Sequence, residues 1–111
     1  MAYFSLELRA DPLRSLAFGS ISGTYAAIGT PFSHPVRIMI AQNLTDVTLT
    51  YSFDSVNDHF VLPAGGQMIV DVSSDEFQGN GFLISINTQM YVKGSPGSGS
   101  VYISAFYARG S

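Results

Sequence analysis

The sequence predicts an all-β protein: an antiparallel β-sandwich, jelly-roll-like, of about eight to ten short strands with no substantial helix. Three observations carry this. Apolar and polar residues alternate with a period of two. Gly, Pro, Asn and Asp clusters punctuate the alternating runs at short intervals. No window places apolar residues at i, i+3, i+4 and i+7 between capping signals, so an amphipathic helix has no support.

Taken in order, "FSLELR" sets Phe4, Leu6 and Leu8 against Ser5, Glu7 and Arg9, which predicts a strand over 3–9 with one dry and one wet face. Strands are expected over 13–20 and 24–28. The prolines at 31 and 35 in "GTPFSHP" disfavour helix in the residues before them. "PVRIMIAQN" then predicts a strand over 35–43, with Val36, Ile38 and Ile40 on one side and Met39 and Ala41 on the other. "QNLTDV" reads as a tight hairpin at Asn43 and Asp46, leading into the strict alternation of "VTLTYSFD", where Val47, Leu49, Tyr51 and Phe53 share a face. "SVND" turns the chain into a strand at 58–62 with Phe60 and Leu62 facing the core. "LPAGGQ" turns it again into 66–73, so residues 51–72 read as three consecutive antiparallel strands, a β-meander. Short strands are expected at 81–85 and 88–93, and the Gly/Ser-rich "KGSPGSGS" as a mobile break. The last strand, 99–108, alternates Val101, Ile103, Ala105 and Tyr107 with Tyr102 and Phe106. Strands apolar on both faces are either covered on both or present one face to a partner.

The length suits a single sandwich domain, 1–111. Without cysteine there is no disulfide framework and no thiolate chemistry. The charged fraction is 12%, against about 25% for an ordinary soluble domain. So sparsely charged a surface suits a protein that lives docked on partners, where its apolar area is covered. The five basic residues, Arg9, Arg14, Arg37, Lys93 and Arg109, are scattered, which gives no stripe for phosphates and sets nucleic acid aside. No apolar run approaches the roughly 18 residues of a membrane helix, and no secretory signal is expected.

Chemistry is tested most sharply at "YSFDSVNDHF", where Asp54, Asp58 and His59 crowd together. A hydrolase would use a carboxylate to orient His59 against a serine. No serine sits in a G-x-S-x-G elbow, and Ser, Asn and Asp in sequence are the residues that close a turn on their own backbone. Turn architecture is the reading preferred. His34 and His59 have no spacing that suggests zinc, and "DVSSDEFQGNG" lacks the pattern of a calcium loop. "QGNG" precedes a strand and not a helix, so it is a turn and not a phosphate cradle. Asn43 opens a sequon, "NLT", that carries no weight without a secretory signal. No enzyme activity, metal or cofactor is expected. The aromatic residues Phe4, Tyr91, Tyr102, Phe106 and Tyr107 are the candidate packing or interface positions, since Tyr supplies contact area with one polar tip. The competing use of Tyr91, Tyr102 and Tyr107 is a sugar-stacking face.

A cysteine-free, charge-poor, all-β chain that carries "VNDHFVLPAGGQMIVDV" and ends in "GSVYISAFYARGS" resembles the capsid decoration, or staple, proteins of short-tailed bacteriophages of the Epsilon15 type. The resemblance lies in length and character along the chain. It implies a sandwich made in the host cytoplasm and bound to the outer surface of the virion. There it would tie neighbouring capsomers of the major capsid protein shell and pair with itself as a homodimer. It carries over no catalytic residue. The expectations set beside it are a neck or tail adaptor of the same virion, and a carbohydrate-binding module.

Overall fold

In the computed structural model, which describes residues 6–71 and 84–110, the alternating runs become nine strands: β1 (Leu6–Ala10), β2 (Arg14–Ala17), β3 (Ala26–Ala27), β4 (Ile38–Asn43), β5 (Leu49–Ser52), β6 (Phe60–Leu62), β7 (Gln67–Asp71), β8 (Tyr91–Lys93) and β9 (Ser100–Gly110). One turn of 3-10 helix, Phe18–Ser20, stands where the sequence reading continued a strand to residue 20. The expected strand at 81–85 falls mostly outside the described residues. Its end, Ile84, forms an isolated antiparallel bridge with Val36.

All strand pairs are antiparallel and the pairing is nested: β5 with β6, β4 with β7, β3 with β8, and β1 and β2 with β9. This is one long hairpin with its tip between β5 and β6, rolled so that β4 also meets β9 and β5 also meets β8. The roll yields a first sheet in the order β1–β9–β4–β7, with β2 also on β9, and a second in the order β3–β8–β5–β6. That strand order is the jelly roll.

Two turns therefore do a different job from the one the sequence suggested. "QNLTDV" is not a hairpin, because β4 and β5 belong to different sheets, and "LPAGGQ" likewise carries the chain from β6 in one sheet to β7 in the other. The meander over 51–72 is thus a β5–β6 hairpin followed by a crossing. Alternation fixes which face of a strand is dry, but a dry face is equally satisfied by a neighbour in the sheet or by the sheet opposite. What favours crossing is Asn43. Its side chain is wholly buried. Its Nδ2 donates to the carbonyls of Val47 (2.8 Å), Leu62 (2.9 Å) and Pro63 (3.1 Å). Its Oδ1 accepts from the Thr45 amide (3.0 Å) and hydroxyl (2.6 Å). The backbone adds Asn43 N–H to Gly66 O (2.8 Å) and Gly65 N–H to Asn43 O (2.7 Å), with Gly65 at φ +77°. One amide clamps both corners, and being enclosed it is no glycosylation site in this fold.

The core between the sheets follows the predicted faces. Met39 and Ala41 of β4 and Val101, Ile103 and Ala105 of β9 meet Leu49 and Tyr51 of β5, Leu62 of β6 and Val92 of β8. Phe60 packs beside them, its ring stacked on Tyr51 at 4.9 Å. Val36 is buried by its bridge to Ile84, so it does not share the outward side of Ile38 and Ile40 as the alternation implied. The "KGSPGSGS" segment, read as mobile, is pinned. Gly94 N–H donates to Ser22 O, Gly97 N–H to the Asp46 carboxylate at 2.8 Å, and Gly99 O accepts from Phe18 N–H.

Candidate functional site

The hairpin tip brings Ser52, Asp54 and His59 together, and its hydrogen bonds show what they do. Asp54 Oδ1 accepts from the amides of Val56 and Asn57 and from the Ser52 hydroxyl, each at 2.9 Å. Oδ2 accepts from Asn57 Nδ2 at 3.0 Å. The backbone donors foremost, then the side chains, hold the Asp54 carboxyl well below the usual carboxylate range. Ser52 is fully buried and its Oγ accepts the amides of Asp54 and Ser55. His59 Nδ1 accepts the Phe53 amide at 3.0 Å and lies 3.5 Å from Ser52 Oγ, while Nε2 stands 4.0 Å from Asp54. A triad needs an accessible hydroxyl that gives its proton to the imidazole. Here the hydroxyl proton goes to Asp54, the imidazole lone pair is occupied by backbone, and the serine is sealed. The trio closes a turn in which Ser55 takes φ +64°.

Asp58 leaves the trio and pins the tip onto the second sheet. Tyr25 Oη donates to Asp58 Oδ1, and Lys93 Nζ lies 3.1 Å from the same oxygen and 4.6 Å above the Tyr25 ring. Tyr25 is pushed up to about 12, by desolvation first and then by the Asp58 hydrogen bond and charge.

A second polar cluster closes the break between β1 and β2. These two strands run end to end along one edge of β9, β2 on 100–103 and β1 on 106–110. Asp11-Pro12-Leu13 bulges out between them, an edge position where a proline's missing donor is tolerated. The bulge turns Asp11 inward to a buried ion pair with Arg14 at 3.2 Å. Arg14 also donates to the carbonyls of Pro12, Thr30 and Pro31. Asp11 accepts from Ser33 N–H at 3.0 Å and meets His34 Nδ1 at 2.9 Å. Burial pushes the Asp11 carboxyl up, but the hydrogen bonds of His34 and Ser33 and the charge of Arg14 outweigh it and hold the group below its ordinary value. Every charge here has a structural partner.

What the tip and the bulge leave open is the outer face of the first sheet. Strand parity and burial put Ile38, Ile40 and Gln42 of β4 there, with Tyr102, Ser104 and Phe106 of β9 and Ile69 of β7, the last 57% exposed. No described element covers this face. Beside it the bulge leaves a cavity of about 220 Å³ lined by Ala10, Asp11, Leu13, Ser104, Ala105 and Phe106, with Leu13 61% exposed.

Of the candidate aromatic positions, Tyr102 and Phe106 lie on this outer face, half-buried. Tyr107 sits on the opposite side of β9, its ring stacked on His34 at 3.7 Å. Tyr91 lies on the outer face of the second sheet, opposite Ser52 and Ala27. Tyr91 and Tyr102 thus occupy opposite sides of the sandwich and form no common sugar platform. Phe4 is outside the described residues, as is the acidic loop from Val72 to Gly81 weighed for calcium. Among the described residues, no three His, Asp or Glu side chains converge as a metal site would require, and no helix is long and apolar enough to cross a membrane. Sequence reasoning missed Leu13 and Ile69 as exposed positions, and Ile38 and Ile40 as half-buried neighbours on the outer face. The signal was present in the two apolar faces of "RIMIAQN" and "MIVDV", but only the sheet order says which face turns away from the opposite sheet.

The described strands form a small jelly-roll sandwich, and no described element covers the outer face of its first sheet. Compared with known proteins, the chain finds no significant match: no family model, no curated protein and no solved structure.

Proposed function

We propose that this chain is a virion structural protein, a bacteriophage capsid decoration or cement protein. It binds the outer surface of the major capsid protein shell, without catalysis, and staples neighbouring capsomers against the pressure of packed DNA. The supporting observation is the outer face of the first sheet, which no described element covers. It presents Ile38, Ile40, Ile69, Tyr102, Ser104 and Phe106, with one charged residue, Asp71, at its β7 edge opposite Ile38. Three strands by five residues give a footprint of roughly 240 Å². A stable pair of proteins buries about 800 Å² on each side, so one such face binds weakly alone. On a repeating shell, a self-associated form of the chain gains through avidity, and binding the assembled shell but not its free subunits stabilises the shell by mass action.

The experiment is the copy number of the protein in purified particles, measured by gel densitometry against the major capsid protein. A lattice-determined ratio supports decoration. A few copies per particle would indicate a neck or tail component, and absence from particles would sink the reading. Ile40→Asp, which sets a charge at the centre of the face, should abolish incorporation while the isolated protein stays folded.

A further inference from the structure

The bulge between β1 and β2 carries one surplus residue. Ala10 pairs with Phe106 and Arg14 with Ile103, so Asp11, Pro12 and Leu13 of the edge oppose only Ser104 and Ala105 of β9. The surplus bows the edge away from β9, and the cavity of about 220 Å³ opens over those two residues. One ladder bond survives there, from Asp11 N–H to Ala105 O at 2.8 Å.

The bowed shape is held from behind. The Asp11 side chain has no accessible surface and pairs with Arg14, which is itself fastened to the carbonyls of Thr30 and Pro31. The Ser33 amide and His34 Nδ1 take up the rest of the carboxylate. A buried ion pair is a weak source of stability. Here it fixes the wall of a cavity, so an occupant need not order that wall on binding.

The lining selects the occupant. The Asp11 carboxylate is sealed off and no other lining residue is ionisable, so a charged group would find no counter-charge. Ala10, Leu13 and Phe106 supply apolar surface, and the half-buried Phe106 is aromatic, so an aromatic occupant gains beyond simple burial of area. The Ser104 hydroxyl has no hydrogen-bond partner among the described residues. An occupant that covers it without bonding to it leaves a buried polar group unpaired. A cavity of roughly 150 Å³ takes up a benzene ring, and this one has room for a ring with a polar atom at its edge. Tyrosine and tryptophan side chains have that form, and they are the common anchors of protein interfaces.

The surroundings assign the ring to a protein partner. Leu13 on the rim is 61% exposed. From the cavity a row runs across the sheet through Ser104, Ile40 opposite it, and the exposed Ile69 opposite Ile40. A free small molecule would leave this row in water. The footprint of roughly 240 Å² also falls well short of the 800 Å² or so that each side of a stable pair buries, so the affinity has to be concentrated in few residues.

We infer that the bulge cavity is the receptor for one aromatic anchor of the partner, a tyrosine or tryptophan side chain whose ring lies against Phe106 and whose polar atom bonds to Ser104. This rests on the proposed docking through the outer face of the first sheet, and it adds the point where the binding energy is concentrated.

The isolated protein tests the cavity with p-cresol and 3-methylindole, free models of the two side chains. Each should shift the amide signals of Leu13, Ser104 and Ala105 saturably, with Kd on the order of millimolar. Toluene, which lacks the hydroxyl, should bind about 2–10-fold more weakly than p-cresol. In Ser104→Ala that difference should vanish. Ser104→Leu, which sets a branched side chain in the cavity, should abolish binding of all three while its amide spectrum remains that of the folded chain. Shifts centred elsewhere, no saturable shifts, toluene equal to p-cresol on the native chain, or p-cresol binding undiminished in Ser104→Leu would each overturn the cavity assignment. On particles, Ser104→Leu should lower incorporation at least about tenfold. Incorporation of folded Ser104→Leu at the native level would show that the face docks without an anchor, and would remove this inference while the proposed function stands. Native-level incorporation of Ile40→Asp would instead remove the docking face, whatever the cavity binds.

Discussion

Replacing Asn43 tests the central claim about the fold, that one buried amide holds both crossings between the sheets. Asn43→Leu keeps the volume and removes the donors and the acceptor. Val47 O retains Thr45 Oγ1 (3.1 Å) and Pro63 O retains the Gly66 amide (2.8 Å). The Thr45 amide loses its partner, a buried bond, while Leu62 O keeps its place opposite Leu49 in the β5–β6 ladder. At about 1–3 kcal/mol for each buried group left unpaired, the substitution costs roughly 1–3 kcal/mol. A domain of this size has about 5–15 kcal/mol in total, so the loss is a readily measured share of it. Asn43→Asp keeps Oδ1 for Thr45 but turns a second oxygen toward three carbonyls, and should cost more than Asn43→Leu although it differs less in shape. Urea unfolding followed by circular dichroism measures both. A loss below about 1 kcal/mol for Asn43→Leu, or Asn43→Asp the milder of the two, would refute the clamp.

Three further outcomes follow from the same geometry. Gly99 has φ +91° and an added Cβ would lie 2.1 Å from Leu44 O, so Gly99→Ala should cost about 3 kcal/mol or more, read as a lowered unfolding midpoint. Asp11→Asn strands the buried Arg14 charge and should cost about 3–5 kcal/mol at neutral pH. Because the folded-state pKa of Asp11 is lowered, its contribution is present above the ordinary carboxylate value and lost as pH falls through the folded value. Below about pH 4 the gap in melting temperature between native and Asp11→Asn chains should close, and a gap independent of pH would contradict the ion pair. Asp54→Ala should speed hydrogen exchange at the Val56 and Asn57 amides and leave core amides protected; unchanged exchange at those two would remove Asp54 from the turn.

The alternation of Leu49, Tyr51 and Phe53, and of Val101, Ile103 and Ala105, was enough to assign strands and their dry faces, because side-chain direction along a strand depends on the backbone alone. The Ser, Asn and Asp content of "SFDSVND" was likewise enough to read a turn where an active site was conceivable, since these side chains bond their own neighbours. Sheet order was not legible. "QNLTDV" and "LPAGGQ" look like hairpins locally, and they become crossings because residues 19 and 20 positions away, Leu62 and Pro63, satisfy Asn43. The buried Asp11–Arg14 pair was hidden for the same reason, its other partners lying near residues 30–34.

The sequence by itself determined an all-β chain, the inward set of nearly every strand, and a surface poor in charge. Only the tertiary structure decided that the strands form a rolled hairpin, that the outer sides of β4 and β9 lie side by side with no described element over them, and that the β1–β2 bulge opens a cavity beside them. The physical reason is that strand periodicity is a local property of the backbone, whereas pairing and coverage depend on contacts between residues far apart in the chain.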